Sequence, residues 1–304
     1  MEHKSFKNQL SFDLNIGYPV NNVYSRDVVL LISNSVAEEV FTAKIPEKPF
    51  TWIAQAISIA TATIGGVEVG AECRSQYLKN KSFTIPKVIL DMPFADGNSM
   101  LLEIHRRVWE DVIPRQEIAC KYCTKRFTDD IDLSRICLSE ETIEKIMENP
   151  EWAGLMCDLD DGFTFADFIA RMGSNGKIKE KFEAYADIKY NRVLFRIPTM
   201  RDAIKHEAYA NKQIDFWRRV GFDCIIALQE VDEKGDVVSS FPIDELAWVG
   251  LKIYDLMTAP DLKKMRSTLI DELPTTPFRY LDTCPCDLKR DIPKAMEVSR
   301  FFSV

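Results

Sequence analysis

The spacing of apolar residues along this chain predicts a mixture of strands and helices. Residues 27–32 consist of Asp27 followed by five apolar residues, and residues 192–197 alternate between apolar and polar. Both patterns are typical of strands. Residues 50–63 instead repeat their apolar positions at helical spacing. The face they form consists of Trp52, Ile53, Ala56, Ile57 and Ala60. The expected fold class is α+β.

Capping and breaking residues add further elements. Ser99 fits the N-cap of a helix over residues 99–112, which Pro114 would stop. A turn at residues 232–236, between the strand-like segments 225–231 and 237–241, predicts a β-hairpin. Additional helices are expected at residues 139–147, 200–217, 243–256 and 261–273, with Pro274 ending the last.

Changes in composition divide the chain into four segments. Residues 1–24 are polar with little periodicity and are expected to form an extended arm. Residues 25–137 and 190–304 each have the pattern of an α+β repeat. Residues 138–189 are expected to be a linker region, because Pro150, an Asp-rich stretch and a Gly-Ser-Asn-Gly stretch interrupt them.

The two repeats carry the same features in the same order, which predicts an internal duplication. Trp52 precedes Cys120 by 68 residues (120 − 52), and Trp217 precedes Cys284 by 67 (284 − 217). In each repeat a helix, a proline and a short strand-like run lead to a cysteine pair. A Lys-Arg dipeptide and an Asp-Ile step follow it, namely Lys125-Arg126 and Asp130-Ile131, then Lys289-Arg290 and Asp291-Ile292.

Length and charge limit the functions open to the chain. With 304 residues and 46% hydrophobic content it can bury a sizeable core. A formal net charge of −8 and a pI near 5.2 argue against nucleic-acid binding as the main function. The first residues lack the apolar core of a signal peptide, and the most apolar stretch, residues 52–64, is too short to span a bilayer. We therefore expect a cytoplasmic, soluble protein.

The candidate chemistry lies in the cysteine pairs Cys120-Lys-Tyr-Cys123 and Cys284-Pro-Cys286. A reducing cytosol favours metal binding over disulfides for such closely spaced thiols. Structural zinc takes four ligands, and the two pairs together supply four thiolates. The predicted site is one structural Zn²⁺ bound by all four cysteines, one pair from each repeat.

Two other interpretations of these cysteines stay open, namely ordinary cysteines without metal and a redox pair. A thioredoxin-type redox pair requires a helix after the cysteines. Residues 124–130, which follow Cys123, instead have the pattern of a hairpin and strand. Cys73, Cys137, Cys157 and Cys224 have no close partner in sequence and are expected to be small buried hydrophobes.

Motifs for catalysis are weak, so we expect a protein that is not an enzyme. The three histidines, His3, His105 and His206, form no helical metal motif. Residues 173–178 have too few residues between their glycines for a phosphate loop. The Asp-rich residues 158–162 have their glycine one place early for a calcium loop and are expected to be a solvated turn.

Three segments resemble one class of phage proteins. Residues 101–133 run from an amphipathic helix through Ile118-Ala-Cys-Lys-Tyr-Cys123 to an acidic-aliphatic strand, residues 194–200 contain a Pro-Thr turn into a helix, and residues 261–286 end in the second cysteine pair. The pattern is similar to the baseplate hub assembly proteins, or tail chaperones, of T-even-like contractile phages and related contractile injection systems. The second pair departs from that family in having one spacer residue, and no glycine follows either pair.

The resemblance implies a role in assembling the tail hub or baseplate without enzymatic turnover. The implied partners are hub, tape-measure or tail-tube proteins, and the location is the host cytoplasm or the assembled tail. Two alternatives from other classes stay open. One is a nucleic-acid-binding zinc ribbon, whose basic face would comprise Lys121, Lys125, Arg126, Lys289 and Arg290. The other is a thiol enzyme.

Overall fold

Two four-stranded antiparallel sheets form the framework, one in each of two compact units. Unit 1 comprises residues 1–152, 199–207 and 274–304, and unit 2 comprises residues 153–198 and 208–273. The computed structural model describes residues 9–31, 48–108, 112–119, 126–132, 154–171, 180, 182–241, 250–271, 279–283 and 291–295. The mixture of helices with antiparallel sheets agrees with the predicted α+β class.

The sheet of unit 1 is a meander in which consecutive strands are neighbours. Leu10 pairs with Leu30, Val28 with Ile64, and Ile64 with Val67 across a turn of two glycines. The expected strand at residues 27–32 is confirmed over most of its length. The four strands are β1 (Gln9–Val20), β2 (Val23–Leu31), β3 (Thr61–Ile64) and β4 (Val67–Glu68).

Helix α1 (Pro49–Ala60) supplies the apolar layer of unit 1, as its periodicity predicted. Its proline occupies the first helical position, where no backbone donor is needed. Trp52, Ile53, Ala56 and Ile57 are all buried, and the chain passes directly into β3 because Thr61 is already extended. The other helices of unit 1 are α2 (Gly70–Asn80), α3 (Lys87–Leu90), α4 (Phe94–Val108) and α6 (Met200–Lys205). The helix between the last two, α5 (Ala166–Arg171), belongs to unit 2.

Helix α4 begins five residues before the expected Ser99, so the N-cap prediction is wrong. The Ser99 hydroxyl lies inside the helix and donates to the carbonyl of Ala95 at 3.1 Å. Asp96-Gly97-Asn98 looks like a turn in sequence, but packing requires the glycine. A Cβ on Gly97 would lie 2.5 Å from the sulfur of Met200 on α6.

The expected N-terminal arm instead contains β1, which belongs to the core of unit 1. Leu14, Ile16, Tyr18 and Val20 are all buried. The pairing of β1 with β2 skips from Asp13 to Tyr18, so the residues between form a bulge. This interruption breaks the two-residue alternation that would have marked a strand in the sequence.

Gly17 lies in this bulge with a left-handed backbone conformation that glycine adopts without strain. Its φ is +77°, and a Cβ would lie 2.7 Å from the carbonyl oxygen of Ser25. We expect Gly17→Ala to lower the free energy of unfolding by about 2–3 kcal/mol, from left-handed strain plus the clash. Gly66→Ala is the matched control, since Gly66 has nearly the same φ, +76°, but no atom lies within 4 Å of a Cβ placed there. Urea unfolding should show a smaller loss of unfolding free energy for Gly66→Ala than for Gly17→Ala. Equal losses would show that the contacts around Gly17 do not matter.

Unit 2 repeats the meander, with the sheet order β10-β9-β8-β7. Its first strand lies within residues 138–189, which were expected to be a linker. The linker prediction is wrong for the residues of this strand, because Leu155, Cys157 and Leu159 are buried. The hairpin predicted around residues 232–236 is confirmed, with Val231 opposite Val237. The strands are β7 (Leu155–Phe163), β8 (Tyr190–Phe195), β9 (Ile225–Val231) and β10 (Val237–Phe241).

The helices of unit 2 are α5 (Ala166–Arg171), α7 (Gln213–Cys224) and α8 (Ala259–Asp271). The single helix expected over residues 200–217 is instead α6, a 3-10 turn at Glu207–Tyr209 and α7. Residues 250–255 form a 3-10 turn rather than the end of an α-helix. The helix predicted at residues 261–273 is confirmed as α8. The helix predicted at residues 139–147 lies outside the described residues.

Aromatic side chains fill the core of unit 2. Phe165 is fully buried, and its ring centroid lies 4.7 Å from that of Phe241 and 5.3 Å from that of Tyr190. Phe163, Phe168 and Phe182 complete the cluster. Trp217 is half-buried, and Trp109, Trp152 and Trp248 lie outside the described residues.

Two separate hairpins complete the described structure, β5 (Val112–Ala119) with β6 (Arg126–Asp132) and β11 (Arg279–Thr283) with β12 (Asp291–Ala295). Pro114, expected to stop a helix, lies instead within β5, where the pairing skips from Ile113 to Gln116. A bulge tolerates proline because no ladder donor is required there. Within the described part of the chain, no helix has the length and apolar character needed to cross a membrane.

Candidate metal centre

Both cysteine pairs fall in the connections of the two hairpins. The β5–β6 ladder ends at Ala119 paired with Arg126, and Cys120 is the next residue in the sequence. The β11–β12 ladder ends at Thr283 paired with Asp291, and Cys284 is the next residue. In each hairpin the first cysteine therefore directly follows the last paired residue of the first strand.

The two hairpins belong to the same compact unit, although they are far apart in the sequence. Unit 1 contains residues 1–152 and also residues 274–304. Cys123 and Cys284 are separated by 161 positions (284 − 123). A metal bound by both pairs would therefore be internal to unit 1.

The predicted ligands Cys120, Cys123, Cys284 and Cys286 all lie outside the described residues. The donor set can still be tested for its chemistry. Four thiolates match the ligand preference of structural zinc. The connections contain six and seven residues (120–125 and 284–290). The donor set therefore fits Zn²⁺.

The three described cysteines are buried, as predicted, and form no disulfide. Cys73, Cys157 and Cys224 are at most 3% exposed. Burial raises the pKa of the Cys73 thiol to about 11, so it stays protonated at neutral pH and is a poor metal ligand. Among the described residues no group of three or more His, Cys, Asp or Glu side chains could hold a metal ion. Cys137 lies outside the described residues.

A buried carboxylate that the sequence analysis missed organises unit 1. Asp96, in the first turn of α4, is fully buried and accepts backbone hydrogen bonds from Ile16 at 3.0 Å and Gly17 at 2.8 Å. Arg26 binds the carbonyls of Leu14 and Asn15, both at 2.7 Å. Asp96 thus accepts from backbone donors of the β1 bulge, and Arg26 donates to its carbonyl oxygens.

Unit 2 contains the same arrangement. Asp261, in the first turn of α8, is fully buried and accepts backbone hydrogen bonds from Asp160, Asp161 and Gly162 at 2.7, 3.3 and 3.1 Å. These donors form a bulge in β7, whose pairing skips from Asp158 to Phe163. Gly162 closes it with a φ of +67°, as Gly17 closes the bulge of β1.

Comparison with known proteins gives no relative. No protein-family profile, curated protein or solved structure matches the chain. The functional argument therefore rests on the residues and their arrangement.

The Asp261 contacts change the interpretation of the Asp-rich residues 158–162. These residues were expected to form a solvated turn, whereas the structure places them in β7, with backbone donors bound by a helix carboxylate. Lys264 also pairs with Asp160 at 2.7 Å.

The only feature of the sequence that marks Asp96 and Asp261 is their position, in the first turn of a helix. That position is ordinarily explained by the helix dipole alone, so the sequence did not reveal a contact with a distant strand.

His206 is half-buried at the end of α6, where its backbone closes the last helical turn. His3 and the side chain of His105 lie outside the described part of the structure.

Proposed function

We propose that the chain is a non-enzymatic, zinc-stabilised assembly protein of a contractile phage tail or related injection system, acting by binding hub, tape-measure or tail-tube partners. The observation that carries the zinc part is that both cysteine pairs fall in hairpin connections of one unit. Zn²⁺ bound by Cys120, Cys123, Cys284 and Cys286 would fasten the two hairpins together. The tail role is suggested by the sequence resemblance.

The two halves of the chain are further proposed to be related by duplication. Along the chain each half has two strands, a helix that passes directly into the third strand, a fourth strand, a later helix and a hairpin. The helix entries agree closely, with φ and ψ of −114° and 76° at Lys48 and −117° and 76° at Lys212. The matching Asp96 and Asp261 contacts support this relationship, because unrelated meanders need not share such a device.

The zinc site is tested by metal analysis of the full-length protein. We expect one zinc per chain after purification without added metal, and loss of that zinc in both Cys120→Ser and Cys284→Ser. Cys137→Ser is the matched control and should retain zinc. Full zinc in Cys284→Ser would overturn the shared site, because the two pairs would then not bind a common ion.

The assembly role is tested by co-expression with the proteins encoded beside it. We expect the chain to co-purify with a hub, tape-measure or tail-tube protein, and a gene deletion to stop tail assembly before sheath addition. A zinc ribbon that binds nucleic acid would instead show salt-dependent binding to DNA or RNA. That result, without a protein partner, would contradict the assembly role.

A further inference from the structure

Unit 2 contains a cavity of about 380 Å³ beside helices α7 and α8. The stripe Leu262, Met265 and Leu269 recurs at helical spacing on α8. Met265 and Leu269 are buried, whereas Ile214 at the start of α7 is 68% exposed. The lining therefore combines a buried apolar wall with an apolar side chain that is open to solvent.

The charged residues around this cavity are mostly basic. Arg218, Lys263 and Arg266 line it, against the single carboxylate of Asp255. Arg218 pairs with Asp255 at 3.0 Å, while Lys263 and Arg266 have no hydrogen bond or ion pair within the described structure. The local excess of positive charge contrasts with the net charge of −8 for the chain. An occupant with negative charge would therefore be complementary to this site.

Two buried polar atoms of the lining residues lack partners. Among the described residues, Arg218 Nε and the Tyr254 hydroxyl are both buried without a hydrogen bond. Such atoms are rare in native proteins, and each normally finds a partner in the protein, in water or in a ligand. Arg218 is held in place because its guanidinium also donates to the Leu251 carbonyl at 3.2 Å and lies over the Tyr254 ring. Because both atoms are buried, the cations accessible to an occupant are those of the exposed residues Lys263 and Arg266.

We propose that this cavity binds an acidic, amphipathic segment of a partner protein, with an apolar side chain against Ile214 and Leu262 and carboxylates facing Lys263 and Arg266. A groove between two helices suits an apolar stripe of this kind, and the cations select the acidic flank. The choice of a polypeptide as occupant rests on the proposed assembly function. All residues of the site belong to unit 2, whereas the four predicted zinc ligands belong to unit 1.

The probe is a fluorescein-labelled peptide of about three helical turns, with leucines at helical spacing and glutamates elsewhere. Fluorescence anisotropy with the full-length protein should show saturable binding that weakens as salt increases. A matched peptide with lysine in place of each glutamate should bind at least about tenfold more weakly, because like charges then face each other. Equal affinity for the two peptides would overturn the proposal.

Charge-reversal variants locate the binding. The double variant Lys263→Glu/Arg266→Glu should weaken acidic-peptide binding by about tenfold or more. Both side chains are exposed, so the variant should still fold. Lys189→Glu/Lys234→Glu, also exposed and in unit 2, makes the same change in net charge outside the cavity and should bind normally. Equal weakening in both double variants would show a general charge effect and exclude the site.

A variant without zinc separates this proposal from the metal site. Cys284→Ser should lose zinc and keep peptide binding, because the cavity residues belong to unit 2. Zinc present with no peptide binding would reject the cavity alone. If the purified wild-type protein contains no zinc but binds the peptide at the cavity, only the proposed metal site is rejected.

Discussion

Removing zinc is expected to destabilise unit 1 and leave unit 2 nearly unchanged. An ion bound by Cys123 and Cys284 closes a loop of 161 positions, and all its predicted ligands belong to unit 1. In the chain-entropy description of a crosslink, opening so long a loop costs about 5 kcal/mol. For a unit of this size, that corresponds to a fall in the unfolding temperature of about 10–20 °C.

Hydrogen exchange resolves the two units within one sample. After zinc is removed with a chelator, the amides of β2 and α1 should exchange faster, whereas those of β8 and β9 should keep their protection. Cys120→Ser should reproduce the effect without chelator, and Cys137→Ser should not. Unchanged exchange in β2 and α1 after complete zinc removal would show that the metal does not stabilise unit 1.

The elements predicted well from the sequence are those whose pattern is local. Helix α1 begins and ends within three residues of the predicted bounds, because its apolar face repeats without interruption. The β9–β10 hairpin was equally accessible, since Asp232 organises its own turn by accepting from the backbone of Lys234 and Asp236, both at 2.9 Å. Such features require no information about distant residues.

The missed elements depend on contacts between distant residues. Strands β1 and β7 each contain a bulge whose donors are bound by a carboxylate 79 or more positions away along the chain. Without that partner, polar residues such as Asn15 and Asp160 resemble a loop. The start of α4 was missed for a similar reason, because Gly97 is required by Met200, more than a hundred positions later. Periodicity alone cannot reveal these pairings.

Loss of either buried carboxylate is expected to be the most damaging single substitution outside the cysteines. Asp96→Ala and Asp261→Ala should each lower the free energy of unfolding by about 3–5 kcal/mol, because buried backbone donors lose a charged acceptor. Asp13→Ala and Asp187→Ala are exposed controls in the same two units and should stay within about 0.5 kcal/mol of wild type. Urea unfolding measures all four. A loss below about 1 kcal/mol in either buried variant would show that the bulge holds without its carboxylate.

The stabilising effect of Asp96 is also expected to depend on pH. Burial raises the pKa of its carboxyl from 3.8 to about 6, against the opposing effect of the backbone donors of Ile16 and Gly17 and the charge of Arg26. A raised folded-state pKa means that folding favours the protonated form. Its contribution is fully present below about pH 4 and is lost as the pH rises through about 6. The difference in unfolding free energy between wild type and Asp96→Asn should therefore fall by roughly 2 kcal/mol between pH 4 and pH 7. A difference that is constant across this range would show that the backbone donors outweigh burial and keep the carboxylate ionised.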